Sequence, residues 1–353
     1  MRVVAKIGTS SITDEHGVID EAAIAKFCTE IATLRAGGHQ VVAVTSGAIA
    51  AGLPSLAFPE RPKDAVTLQA ASAIGQSRLM RVYDTAFAEH DLVAGQLLLA
   101  PLDFIVRQQY LHARATLERL LELGVVPLVN ENDAIADDEI RFGDNDRLAA
   151  LVAHLVGADV LVLLTDTEGV LTADPRLDEG ASLIEEIVEV DHDLERRAGG
   201  TGTVRGSGGM ASKLRAAKIA AWSGVRAVVA AAHRADVLAD AIAGTPGVGT
   251  TVLPQDRHLP ARKLWIAFAV GSEGTLTVDE GARRALVDAN RSLLAAGVVS
   301  VTGGFGVNDA VEVQDPAGQV FAKGLVRLPA HEIDAGARDQ LVIHRDDLVV
   351  LPA

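Results

Sequence analysis

A chain of 353 residues with a formal net charge of −15 is long enough for two hydrophobic cores and too acidic for a general polyanion binder. Hydrophobic residues make up 49% of it and aromatics only 3%, a balance that suits helix-on-sheet layers better than a β-sandwich or an aromatic-rich nucleic-acid binder. Its single cysteine, Cys28, excludes an intrachain disulfide and a cysteine metal cluster.

The opening MRVVAKIGTS lacks the apolar stretch of a signal peptide, and no run is as long as a membrane span. The expectation is a cytoplasmic protein with no membrane partner. Residues 2–7 predict a buried strand ending at Gly8-Thr9-Ser10. Lys6 lies inside that apolar run. Lysine is rarely buried unless paired, so Lys6 either snorkels to solvent or turns its ammonium into a crevice at the strand's C-terminal end. Asp20 caps a predicted helix over 21–35 that closes on Gly37-Gly38. A second buried strand, 41–44, runs into Thr45-Ser46-Gly47-Ala48, small residues that let a ligand approach backbone N–H groups at a helix start. Residues 64–90 predict a long Ala- and Gln-rich helix with a break near Gly75; 92–99 predict a strand and 106–123 a helix.

The stretch 130–146, NENDAIADDEIRFGDND, follows a strand predicted over 124–129 and precedes a helix predicted over 147–156. Two polar clusters, Asn130-Glu131-Asn132-Asp133 and Asp144-Asn145-Asp146, bracket that loop. In open α/β sheets the crevice at the strands' carboxyl ends is where ligands bind, and clustered carboxylates and amides there suit a small ligand carrying an ammonium and a carboxylate. A further strand at 159–164 ends in Thr165-Asp166. Residues 196–207 read as a loop feeding Gly206-Ser207-Gly208-Gly209-Met210-Ala211-Ser212-Lys213 and a helix to about Ser223. Glycines before a helix N-terminus build an anion cradle. The Gly-Lys-Ser/Thr ending of a P-loop is absent, and no strand immediately precedes the glycines as a dinucleotide fold requires. Strands at 225–230 and 249–253 complete a doubly wound, mainly parallel sheet sandwiched by helices, over 1–253.

Residues 254–261 read as a linker. Beyond it, 262–353 predicts a small β-rich domain of short strands separated by Gly and Asp turns, with one helix from 280 to about 289.

Two lysines, a glycine-rich cradle and an Asp/Asn loop at strand ends suit phosphoryl transfer. A carboxylate acceptor is already an ionised nucleophile, so no general base is demanded and the chemistry reduces to positioning and charge neutralisation. On this reading Lys6 and Lys213 would offset the repulsion between an anionic nucleotide and an anionic acceptor, Asp146 would hold both ammonium groups, and magnesium would arrive bound to the nucleotide.

The motifs VAKIGTS (4–10), VTSGAIAAG (44–52), VPLVNENDA (126–134), FGDNDRLAA (142–150), LLTDTEGVLTADPR (163–176) and SGGMASK (207–213) resemble the amino acid kinase family, in its branch that acts on glutamate. VDEGARRAL (278–286), SLLAAGV (292–298) and VTGGF (301–305) resemble the PUA domain that this branch carries at its C-terminus. The resemblance implies ATP-dependent phosphorylation of the glutamate side-chain carboxylate, the first step of proline biosynthesis, with ATP and Mg2+ as cofactors. It implies that Ser46, Asn130, Asp133, Asp144 and Asn145 bind glutamate, and that Lys6 and Lys213 contact the phosphates with Asp146 orienting them. ATP would be held by Thr165, Asp166, Ser207, Gly208, Gly209, Met210, Ala211, Ser212 and Lys213. It further implies L-proline as feedback inhibitor and a homo-oligomer, dimer or tetramer. Two alternatives stand beside this. One is a sibling kinase for aspartate, N-acetylglutamate or a nucleoside monophosphate. The other is an RNA-associated PUA protein, which residues 262–353, with nine Lys/Arg against twelve Asp/Glu, do not favour.

Overall fold

In strand β1 (Arg2–Ile7) every residue from Val3 onward is buried. A β-branched run with no exposed face is stable only in a sheet covered on both sides, which is where parallel sheets place their strands. The computed structural model describes residues 1–14, 16–56, 58, 62–135, 145–173, 178, 180–198, 209–255, 259–335 and 339–351. It divides into two units, Met1–His258 and Leu259–Ala353.

The first unit continues through α1 (Glu21–Ala36), β2 (Gln40–Val44), α2 (Ala48–Gly52), α3 (Ala65–Ala88), β3 (Ala94–Leu99), α4 (Leu102–Ile105), α5 (Arg107–Glu122), β4 (Val126–Glu131) and α6 (Asn145–Leu155). It closes with β5 (Val160–Thr165), β6 (Glu186–Ile187), α7 (His192–Ala198), α8 (Met210–Trp222), β7 (Arg226–Ala231), α9 (Val237–Ala243) and β8 (Thr250–Val252). The eight strands lie in the order β3-β4-β2-β1-β5-β7-β8-β6. All neighbours are parallel except β7 and β8. The chain therefore builds outward from β1 in both directions. The order switches direction at β1, between its neighbours β2 and β5, and in open α/β sheets ligands bind at the strands' carboxyl ends beside such a point.

Alternation along β1 sorts its side chains. Val3, Ala5 and Ile7 join a core with Ile24, Phe27 and Ile31 of α1 and Leu79, Tyr83 and Phe87 of α3. Val4 and Lys6 take the opposite face by the two-residue period of a strand, and there α6 packs on β1 and α8 on α6. A slip of one residue would exchange the two faces and send Lys6 into the α1/α3 core.

One expectation fails at Gly75. Helix α3 is continuous from Ala65 to Ala88. The glycine marks a close approach instead of a break. A Cβ on Gly75 would stand 1.8 Å from the Ala48 carbonyl oxygen, and one on Gly52 1.9 Å from that of Ala71. Helices α2 and α3 thus meet backbone to backbone, which only glycine permits.

The second unit has a five-stranded sheet, ordered β11-β9-β12-β13-β15, and a two-stranded one, β10-β14. Its elements are α10 (Ala261–Leu264), β9 (Gly274–Val278), α11 (Glu280–Val287), β10 (Leu293–Leu294), β11 (Val298–Gly303), β12 (Ala310–Gln314), β13 (Val320–Leu325), α12 (Ala330–Asp334), β14 (Leu341–Ile343) and β15 (Leu348–Val350). Leu276, Val278, Leu286, Val311, Val313 and Val342 form a core of its own. Among the described residues no helix is long and apolar enough to cross a membrane.

Candidate active site

Three elements converge on one buried carboxylate. Asp146, in the first turn of α6, is fully buried, and Lys6 and Lys213 are 3% and 6% exposed. Lys6 Nζ lies 2.5 Å from Asp146 Oδ1, and Lys213 Nζ donates to Oδ2 at 3.0 Å. Burial alone pushes the Asp146 carboxyl up, but the charges of Lys6 and then Lys213, with their hydrogen bonds, outweigh it and hold the group below the ordinary carboxylate range. A helix's first turn favours a carboxylate as well. Lys6 does not snorkel. Gly8 gives its head room, since a Cβ there would stand 3.2 Å from Lys6 Nζ.

Beside this bridge runs a chain of amides. Asn145 Nδ2 donates to the Thr45 carbonyl oxygen at 2.5 Å and to Asn130 Oδ1 at 2.7 Å. Asn130 Oδ1 also accepts the Glu131 backbone N–H at 2.9 Å, while Asn130 Nδ2 donates to Gln76 Oε1 at 2.8 Å. One turn before Gln76 on α3, Ser72 Oγ donates to Asp133 Oδ2 at 2.9 Å. Asn130 and Glu131 are the last residues of β4, and Asn145 and Asp146 lie inside α6. The boundaries of the polar loop are therefore tighter than the sequence suggests. Ser46, half-buried, follows Thr45 in the turn leading to α2.

On the other side of β1, Thr165 ends β5, buried, with its hydroxyl donating to the exposed Asp166 at 3.1 Å. Gly209 is the N-cap of α8, and Met210, Ala211, Ser212 and Lys213 form its first turn. A helix N-terminus of this kind, with its dipole, suits an anion. Asp144, Ser207 and Gly208 lie outside the described residues.

The structure thus brings Lys6, Lys213 and Asp146 into contact. It joins Asn130 to Asn145 directly, sets Ser46 next to the Thr45 carbonyl that Asn145 holds, and ties Asp133 to Ser72, one turn from the Gln76 that Asn130 holds. Sequence reasoning missed Ser72 and Gln76. Their signal was a polar pair at i and i+4 in an Ala-rich helix whose following turns, through Leu79 and Tyr83, are core. Cys28 is no nucleophile: burial pushes its thiol up to about 12. No three His, Cys, Asp or Glu groups among the described residues gather to hold a metal ion. The arrangement can hold an ammonium on a carboxylate, orient small polar groups with amides, and present two ammonium heads to an anion.

The amino acid kinase family profile matches residues 1–231, and that of the PUA domain residues 274–345. A glutamate 5-kinase from Nitrosospira multiformis is 45% identical over 364 residues, covering 99% of this chain and 98% of its own length. One from Caldanaerobacter subterraneus subsp. tengcongensis is 44% identical over 365 residues, covering 99% and 98%. Among solved structures, carbamate kinase from Giardia lamblia bound to AMP-PNP aligns with a TM-score of 0.51 at 17% identity, over 72% of this chain and 98% of its own. The aspartate kinase from Synechocystis gives 0.50 at 21%, over 73% and 41%. At such identities the two structures show a shared fold alone.

Proposed function

We infer for this chain, which belongs to the amino acid kinase family, ATP-dependent phosphorylation of the side-chain carboxylate of L-glutamate, yielding L-glutamyl 5-phosphate and ADP. The observation that carries the reading is the Lys6–Asp146–Lys213 bridge beside the amide chain of Asn145 and Asn130.

A side-chain carboxylate oxygen of glutamate attacks the γ-phosphorus of ATP. The bond from that phosphorus to the β,γ-bridging oxygen breaks, and its electron pair leaves with ADP. No proton moves, so the chain supplies position and charge. We assign Lys6 and Lys213 to the anionic oxygens of the transferring group, where positioned cations act most strongly. Asp146 holds both ammonium heads in a fixed geometry. Asp133 and Asp144 take the substrate ammonium, and Ser46, Asn130 and Asn145 hold its polar atoms. Thr165, Asp166 and residues Ser207 to Lys213 hold ATP, the phosphates lying against the first turn of α8. Magnesium would arrive with the nucleotide and would supply charge neutralisation there, with no cage of protein carboxylates required.

We further assign the product to proline biosynthesis in the cytoplasm, L-proline as an inhibitor that borrows the glutamate loop, and a homo-oligomeric enzyme. A free ammonium on the acceptor is what the aspartates select, so N-acetylglutamate should fail.

Trapping the acyl phosphate with hydroxylamine tests the reading. Hydroxamate should form from L-glutamate with ATP and magnesium, and hardly at all from aspartate or N-acetylglutamate. Preferential turnover of N-acetylglutamate would sink it. Filter binding of structured RNA, run beside ATP turnover, separates catalysis from an RNA-associated role.

A further inference from the structure

The amide chain at the site has a fixed direction. A backbone N–H can only donate and a carbonyl only accept, so Glu131 N–H fixes Asn130 Oδ1 as acceptor and the Thr45 carbonyl fixes Asn145 Nδ2 as donor. Asn130 must then turn its Nδ2 toward Gln76, and Gln76 must answer with Oε1. A flipped Gln76 would set two NH2 groups face to face. Gln76 Nε2 is therefore the terminal donor. The residue is 9% exposed, and among the described residues Nε2 has no acceptor. Buried amide nitrogens are nearly always hydrogen-bonded, so this one calls for an occupant.

Polarisation runs the same way. An amide that accepts at its oxygen becomes a better donor at its nitrogen. Asn130 Oδ1 accepts twice and Gln76 Oε1 accepts once, which prepares Nε2 for an anionic oxygen.

The neighbouring contact identifies that oxygen. Ser72 and Gln76 stand four residues apart on one face of α3, about 6 Å along its axis. Ser72 holds Asp133, an acceptor for an ammonium, and Gln76 offers a donor one turn on. An α-amino acid presents an ammonium and a carboxylate on a single carbon and needs such a pair. The lysines that would meet the phosphoryl group come instead from β1 and α8. Helix α3 is locked, because Gly75 and Gly52 seat it against the backbone of α2, directly after the Ser46 turn. The donor is preorganised.

We propose that Gln76 binds the α-carboxylate of the amino-acid substrate through Nε2, setting affinity and specificity at the end of the molecule away from the chemistry. This rests on the glutamate reading above.

The test compares wild type with Gln76→Glu and Gln76→Met in the full chain, by steady-state kinetics in L-glutamate and in ATP and by ligand-free thermal melts. Gln76→Glu is isosteric, keeps an oxygen for Asn130 and replaces the donor with an acceptor. It should raise the KM for glutamate about ten- to a hundredfold, as loss of one hydrogen bond to a charged group does. Its kcat and KM for ATP should stay within about threefold on the same scale. Gln76→Met removes the amide without adding charge and should show the same split, so a folding defect in one variant does not decide the matter. An unchanged KM for glutamate overturns the proposal, as does a fall in kcat at unchanged KM, which would move Gln76 to the reacting carboxylate. Hydroxamate formation by wild type in the same series keeps the two ideas apart. Its absence removes the glutamate reading, whereas its presence with an unaltered variant KM removes only the role of Gln76.

Discussion

Lys6 on β1 and Asp146 on α6 are 140 residues apart in sequence and 2.5 Å apart in space, both buried. Taking charges out of water costs several kcal/mol per ion, and removing one partner of such a pair is more costly than never having made it. Asp146 serves two ammonium groups at once, which is the geometry expected of a carboxylate that positions cations for an anionic ligand.

The first consequence concerns pH. The folded-state pKa of Asp146 lies below its unfolded value, so its stabilisation is complete above the unfolded value near 4 and is lost as pH falls through the lowered folded value. Asp146→Asn should cost about 3 kcal/mol at pH 7. The gap to wild type should stay constant down to about pH 5 and close below about pH 4. Urea midpoints across that range check it; a gap that widens in acid contradicts the sign.

Gly75→Ala tests the α2–α3 contact. An added methyl 1.8 Å from the Ala48 carbonyl oxygen cannot be absorbed by a side-chain shift. Overpacking should cost about 1–3 kcal/mol or more, lowering the melting temperature, although alanine is the better helix former. A neutral or stabilised variant would show that the helices are not in backbone contact.

If Asp133 takes the substrate ammonium, Asp133→Asn should raise the KM for glutamate by at least about an order of magnitude, as loss of a charge-assisted contact does. ATP affinity should be nearly unchanged. Asp144→Asn should behave alike. Equal loss of both affinities would make the loop structural.

Much of this was legible in the sequence, for a physical reason. A lysine inside an apolar strand is costly unless it is paired, and Asp146 in the polar cluster at a helix start offers the carboxylate, so Lys6 and Asp146 announce themselves. That Lys213 joins them followed from the charge that phosphoryl transfer needs and from the family resemblance, and the contact itself is seen only in the fold. Gln76 and Ser72 were hidden, since glutamine and serine are ordinary on any helix and only the seating of α3 on α2 turns them toward β4. The glycine that creates that seating reads, in one dimension, as a helix break. Asn130 and Glu131 read as loop residues because Asn and Glu are poor strand formers, and sheet pairing of β4 with β3 overrides that preference.

L-Proline carries a charged amine and a carboxylate but no side-chain carboxylate, so it can occupy the Asp133 end of the site without reacting. Inhibition should be competitive with glutamate. If saturating glutamate left the inhibition unchanged, a separate proline site would be required.

Single-turnover phosphorylation by Lys6→Met and Lys213→Met tests the central claim most directly. If both lysines neutralise charge on the transferring group, each substitution should slow the chemical step by about two to three decades, some 3–4 kcal/mol, with a much smaller effect on KM for ATP. The double variant should lose less than the sum, because both lysines act on one group and share Asp146. Thermal melts should show folded proteins of lowered stability, since methionine covers the apolar stem of each lysine while Asp146 loses a buried partner. Wild-type turnover in either folded single variant would remove that lysine from the mechanism and contradict the account.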